Sequence, residues 1–199
     1  MTLPPGAFEP ESRAGWRAWL EAHHGASRGV WLVLRKKAAP VPNLSLEDAV
    51  EEALCFGWID SRPRKLDDAR SMLYFAPRNP GSGWSAVNKA RIARMQAAGR
   101  MTPAGRAKID AAVQDGSWTR LDAVDALEVP PDLAGALAAE PGAQVQWDAF
   151  PRSAKRGILE WIAGARTPAT RERRVRLAAT LAARGERANS WRPPGPAGT

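Results

Sequence analysis

The chain has 199 residues, a mass of 21.5 kDa and a formal net charge of +8, with 44% hydrophobic and 25% charged residues. Those values suit a globular protein of one domain, or one domain with a helical appendage, that buries a real core. They exclude a disordered chain or a transmembrane bundle, because no apolar run approaches membrane-spanning length.

Taken in chain order, Ser12 caps a first predicted helix over 13–24, with Trp16, Trp19, Leu20 and His23 at helical spacing and Gly25 ending it. The β-branched run Gly29–Lys37 predicts a strand, broken by the prolines at 40 and 42. Ser45 caps a second helix with Asp48 at its third position and Leu46, Ala49, Val50, Ala53 and Leu54 on its apolar face; Gly57 stops it. Two strands follow, around 58–66 and 70–76, with Asp67-Asp68-Ala69 as the hairpin turn. A helix is expected from Ser82 or Gly83 to Gly99, and another from Thr102-Pro103 to Gly116.

From about Leu121 the texture changes to alanine-rich helical segments. Pro130-Pro131 opens one and Pro141-Gly142 closes it, Ser153 is expected to cap a helix over 154–165, and Thr167-Pro168 starts a last helix to Gly185. The fold class expected is α+β, a small mostly antiparallel sheet packed with helices and followed by an all-helical segment. The expected division is an α+β domain over 1–120, a helical region over 121–190 and a disordered tail over 191–199.

A single cysteine, Cys55, excludes an internal disulfide and fits a reducing compartment. Residues 1–10 lack a basic and an apolar region of a secretory signal, so a cytoplasmic location is expected. Cys55 sits near the end of its helix between Leu54 and Phe56, a setting for a buried and inert thiol. His23 and His24 are adjacent at a helix end and point apart, which disfavours a metal pair. No phosphate loop, zinc spacing or nucleophile elbow occurs, and no cofactor or metal is expected.

The densest group of candidate functional residues lies between Glu51 and Arg100. The strand residues Trp58, Asp60 and Tyr74, together with Arg78 and the helix-start residues Trp84, Ser85 and Asn88, mix indole, carboxylate, guanidinium, hydroxyl and amide groups in one stretch. Converging on one concavity they would line a small-molecule pocket. The alternatives are an Asp60–Arg78 ion pair, a Ser85 helix-start hydrogen bond, a satisfied Asn88 amide, and tryptophans that belong to the core.

Glu52-Ala-Leu-Cys-Phe-Gly-Trp-Ile-Asp60, Phe75-Ala-Pro-Arg78, Trp84-Ser-Ala-Val-Asn88 and Ala98-Gly-Arg-Met101 closely resemble the YdeI/OmpD-associated family of bacterial proteins. Phe150, Ser153, Trp161-Ile162, Thr170-Arg171 and Arg173-Arg174 resemble that family's helical tail, so the likeness runs over roughly 8–187. The family's usual Thr-Pro-Arg stands here as Ala76-Pro77-Arg78, one hydroxyl fewer. The resemblance implies bacteriocin protection, antimicrobial-peptide resistance or envelope stress response, and brings neither catalytic residues nor a cofactor.

Three functions follow as expectations. The first is a cytoplasmic protein that binds a small molecule or peptide in the central pocket. The second is a nucleic-acid-associated protein using Arg171, Arg173, Arg174 and Arg176, because residues 151–199 hold 11 Lys/Arg against 3 Glu while residues 1–150 balance at 18 and 18. The third is an enzyme with Asp60 or Glu52 as acid or base. Oligomeric state is not legible.

Overall fold

In a computed structural model, which describes residues 3–36 and 41–189, the chain divides into two units, one ending at Thr119 and one beginning at Arg120. The expected tail at 191–199 lies outside the described residues. The fold is α+β, as the alternation of strand and helix patterns predicts.

The first unit is built on a four-stranded sheet of order β1-β2-β4-β3, from β1 (Ala7–Phe8), β2 (Val30–Arg35), β3 (Trp58–Lys65) and β4 (Arg70–Pro77). β2 and β3 each pair antiparallel with β4, whereas β1 runs parallel to β2, so the sheet is mixed. A register shift between Asp60 and Pro63 bends the edge strand β3 where proline cannot donate to a ladder. Because side chains alternate across a strand, Val30, Leu32, Leu73 and Phe75 share the core face, while Trp31 and its cross-strand partner Tyr74 share the other.

Onto the core face pack helices α1 (Arg13–His23) and α2 (Leu46–Cys55). Ser12 and Ser45 cap them, each accepting a backbone N–H with its hydroxyl. Trp16 and Leu20 are fully buried, and the Trp16 indole donates to Ala49 O at 3.0 Å, so this large core ring also meets its polar requirement. Burying an indole contributes on the order of 4–6 kcal/mol by area.

Helix α3 (Ala86–Ala97) starts at Ser85, two or three residues later than expected, and α4 (Pro103–Gln114) starts at the expected Thr102 cap. Thr102 serves two helices at once. Its hydroxyl accepts from Gly105 N at 3.3 Å and donates to Cys55 O at 2.6 Å, and its own N–H donates to Cys55 O at 3.2 Å, which satisfies a carbonyl left over at the end of α2.

The second unit is all helical: α5 (Asp122–Asp125), α6 (Pro131–Ala139), α7 (Ala143–Ala149), α8 (Arg152–Ala163) and α9 (Pro168–Ala183) around Leu133, Leu137, Trp147, Ile158 and Ile162. Two details correct the sequence reading. Ser153 lies inside α8, whose cap position is Pro151, because the fixed φ of proline already suits a helix entry. The short α5 and α7 carry no side-chain cap, so no local signal marks them.

Close approach of α4 to the end of α2 gives a sharp test. A Cβ on Gly105 would lie 2.2 Å from Cys55 O and 2.7 Å from its carbonyl carbon, backbone atoms that cannot step aside cheaply. Gly105→Ala is therefore expected to lose about 1–3 kcal/mol of stability despite alanine's better helix propensity; a urea midpoint at or above wild type would contradict the packing described.

Candidate functional site

The structure places the seven candidate residues of the first unit in five different settings. Trp58 is 1% exposed, packs edge-on to Trp19 at 5.8 Å and donates its indole N–H to His24 O at 3.3 Å, so it belongs to the core. Tyr74 stands on the opposite face of the sheet, 5.2 Å from Trp31 and under the guanidinium of Arg62. Ser85 caps α3 by accepting Asn88 N, and Asn88 accepts from Arg91 at 2.8 Å. Asp60 makes no ion pair with Arg78 and acts on it only as a more distant charge. Arg78 and Trp84 are the two whose side chains meet.

Arg78 follows the last residue of β4 and is 6% exposed, an extreme setting for a guanidinium. Its main chain is held at both ends: its N–H donates to Gly57 O at 2.9 Å and its carbonyl accepts from Lys108 Nζ at 3.2 Å. Gly57 makes this possible with φ +74, and a Cβ there would meet the Lys108 side chain at 2.5 Å. The guanidinium lies 3.7 Å above the Trp84 ring, whose other neighbour is Trp118 at 5.2 Å, and Nη2 donates to Gly83 O at 2.6 Å. No carboxylate among the described residues pairs with it. Burial pushes its pKa down to about 10, against a smaller opposing pull from Asp60.

Beside this guanidinium is a cavity of about 60 Å³ between the 78–84 loop and α4, with Lys108, Asp115 and Ser117 on its far wall. Only three buried polar side-chain atoms lack a hydrogen-bond partner among the described residues, and two of them, Arg78 Nε and Ser117 Oγ, belong to residues lining this cavity. A wider groove of about 660 Å³ runs past Arg13, Leu34, Arg35, Asn43 and Leu46. Two of its polar side chains are already engaged: Arg35 pairs with Glu9 at 2.8 Å, and the Asn43 amide makes three bonds, to Arg35 N, Pro10 O and Val33 O.

Glu52 is wholly buried and gathers three arginines: Arg13 Nε at 2.6 Å, Arg100 Nη2 at 2.5 Å and Arg17 Nη1 at 2.9 Å. Burial works against its charge, but the hydrogen bonds from Arg13, Arg17 and Arg100 outweigh it and hold the carboxyl below the usual range. Glu52 is thus fixed as an anion, the opposite of what an acid-base role at neutral pH asks for. Cys55 nearby is buried and its thiol is pushed up to about 11, chiefly by desolvation, so it is no nucleophile. His23 and His24 each turn Nδ1 to a carbonyl of α1, Trp19 O and Leu20 O. No group of three or more His, Cys, Asp or Glu among the described residues could hold a metal, and no described helix is long and apolar enough to cross a membrane.

In the second unit the four arginines proposed for nucleic acid do not form one face. At 3.6 residues per turn, positions 171, 173, 174 and 176 are spread round α9. Arg171 pairs with Asp132 at 2.7 Å, Arg176 with Glu172 at 3.5 Å, and Arg174 donates to Trp161 O while lying over the Trp161 ring.

Against protein families, residues 8–108 match a domain of unknown function, DUF8412, which covers half of the chain. The chain belongs to the DUF8412 family. Residues 126–185 of this DUF8412 protein match a second model, described as Bacteriocin-protection, YdeI or OmpD-Associated. The likeness to YdeI/OmpD-associated proteins therefore rests on the helical half, and the motifs of residues 52–101 fall within the DUF8412 match. No curated protein and no solved structure matches the chain.

Sequence reasoning missed Lys108, Ser117 and Trp118. The small face of α4 at Ala104 and Gly105, one turn before Lys108, is the signal that α4 packs close enough to bring that lysine to Arg78.

The Glu52 cluster carries a pH prediction. A carboxyl whose folded pKa is depressed adds stability that is present above its unfolded value, about 4.3, and disappears as pH falls through the folded one. Glu52→Gln should cost about 3–5 kcal/mol at pH 7, because three arginines are left around a neutral amide. The gap to wild type should narrow as the buffer is taken from pH 5 towards pH 2.5. Parallel pH profiles from chemical denaturation would show that Glu52 is not the group responsible.

Proposed function

We propose that this DUF8412 protein is a cytoplasmic small-molecule-binding protein, and that its ligand sits against Arg78 and Trp84 in the first unit. The observation that carries the reading is that two buried polar groups without a partner, Arg78 Nε and Ser117 Oγ, belong to residues that line one cavity. Leaving such groups unmatched costs about 1–3 kcal/mol each, more for a charge, and a ligand that hydrogen-bonds to both recovers that cost. The Trp84 indole supplies the apolar wall and Lys108 a second cation.

The enzyme reading is weaker, since Glu52 is locked in ion pairs and Asp60 lies outside the cavity lining. The nucleic-acid reading is weaker because the α9 arginines are dispersed and mostly engaged. The description of the family matched by residues 126–185 fits a protective role.

Arg78→Met separates this reading from a purely structural arginine. A buried cation that no carboxylate pairs with, replaced by an apolar chain of similar length, is expected to leave the unliganded protein within about 1–2 kcal/mol of wild type. The variant should also lose the thermal stabilisation that members of a metabolite panel give to wild type. Severe destabilisation of the free protein, or a wild type that responds to no compound in a manner dependent on Arg78, would overturn the proposal.

A further inference from the structure

Resting on that binding site, the chemistry of its wall identifies the part of the ligand that enters. Arg78 Nε can only donate, and Lys108 Nζ can only donate. The Ser117 hydroxyl, 1% exposed and without a partner of its own, can donate as well, while the backbone N–H of the same residue donates to Asp115 Oδ1 at 2.8 Å. Two fixed positive charges and a buried hydroxyl thus border the cavity, and the single carboxylate on its lining, Asp115, is held by that N–H. The excess is of donors and of positive charge. A neutral or cationic group would leave the guanidinium unmatched in a setting where burial already works against its charge.

We propose that the cavity receives a compact oxyanion, the terminal carboxylate or phosphate of a small metabolite, bound by Arg78 and Ser117 with Lys108 adding its charge. Its volume of about 60 Å³ suits one such group and not a sugar, a base or an aromatic ring, so the remainder of the ligand lies outside it, along Asn79, Pro80 and Gly81. Charge-assisted hydrogen bonds to an oxyanion are shorter and stronger than neutral ones, and a guanidinium offers two parallel donors to a planar carboxylate or a phosphate edge. Stacking on Trp84 at 3.7 Å and the Nη2 bond to Gly83 O hold the guanidinium plane fixed, so little side-chain freedom is lost on binding.

The test uses the full chain and defined probes at constant ionic strength: inorganic phosphate, acetate, chloride, methylammonium and glycerol, read by calorimetric titration and by melting temperature. Phosphate or acetate is expected to bind and to raise the melting temperature, with chloride, methylammonium and glycerol silent; which oxyanion binds tells whether the natural group is a phosphate or a carboxylate. Ser117→Ala, which removes a hydroxyl that has no partner, should melt close to wild type and bind the probe about tenfold more weakly or worse. Arg78→Lys, which keeps the charge and loses the fork, should weaken it at least as much.

Glycerol or methylammonium binding that depends on Arg78, with both oxyanions silent, would overturn the oxyanion while leaving the site standing. Silence of all probes, together with a metabolite panel that also gives no response dependent on Arg78, would overturn both. An oxyanion that binds equally well to wild type, Ser117→Ala and Arg78→Lys lies elsewhere on the protein and would likewise overturn the assignment.

Discussion

A carboxylate with no solvent exposure must be neutralised where it stands, and in this protein that requirement organises the first unit. Glu52 on α2 draws Arg13 and Arg17 from α1 and Arg100 from the segment after α3 into one cluster, so two separate pieces of chain are fixed against the same helix. Glu51 and Glu47, one turn apart on α2, continue the seam to Arg94 and Arg91 of α3. The outer, half-exposed pairs contribute little individually because water screens them. The inner one matters through the penalty for breaking it, since any rearrangement that removes an arginine leaves a buried charge uncompensated.

From that helix the order passes to the site by backbone contacts. The end of α2 presents Cys55 O to Thr102 and Gly57 O to Arg78 N, so the same turn receives the start of α4 and the end of β4. Lys108, two turns into α4, then reaches the Arg78 carbonyl. Arg78 is consequently positioned by its main chain and by Trp84, and its guanidinium is free to answer something other than a protein carboxylate.

Much of the fold was legible because it depends on local chemistry. Ser12, Ser45, Thr102 and Thr167 all cap as read, each through a hydroxyl that bonds a backbone N–H three residues on. What escaped is non-local or unmarked. β1 is two residues long and exists only through its parallel pairing with β2, and Trp84, which looks like the first turn of a helix, is drawn out of α3 by Arg78. In the site, Arg78 and Trp84 could be found because they lie six residues apart, whereas Lys108 and Ser117 arrive by way of another helix. Tyr74 lies apart from Trp58 and Asp60, because strict alternation along β4, anchored by buried Phe75, puts it on the other side of the sheet.

The state of Cys55 has a practical consequence. The chain has one cysteine, and that thiol is both buried and held protonated at neutral pH. A second cysteine placed on the surface, for instance at the exposed Val87 near the start of α3, would then be the only reactive sulfur in the folded molecule. The native sequence is in that sense already prepared for single-site attachment of a dye, spin label or crosslinker, with no need to remove a core residue first.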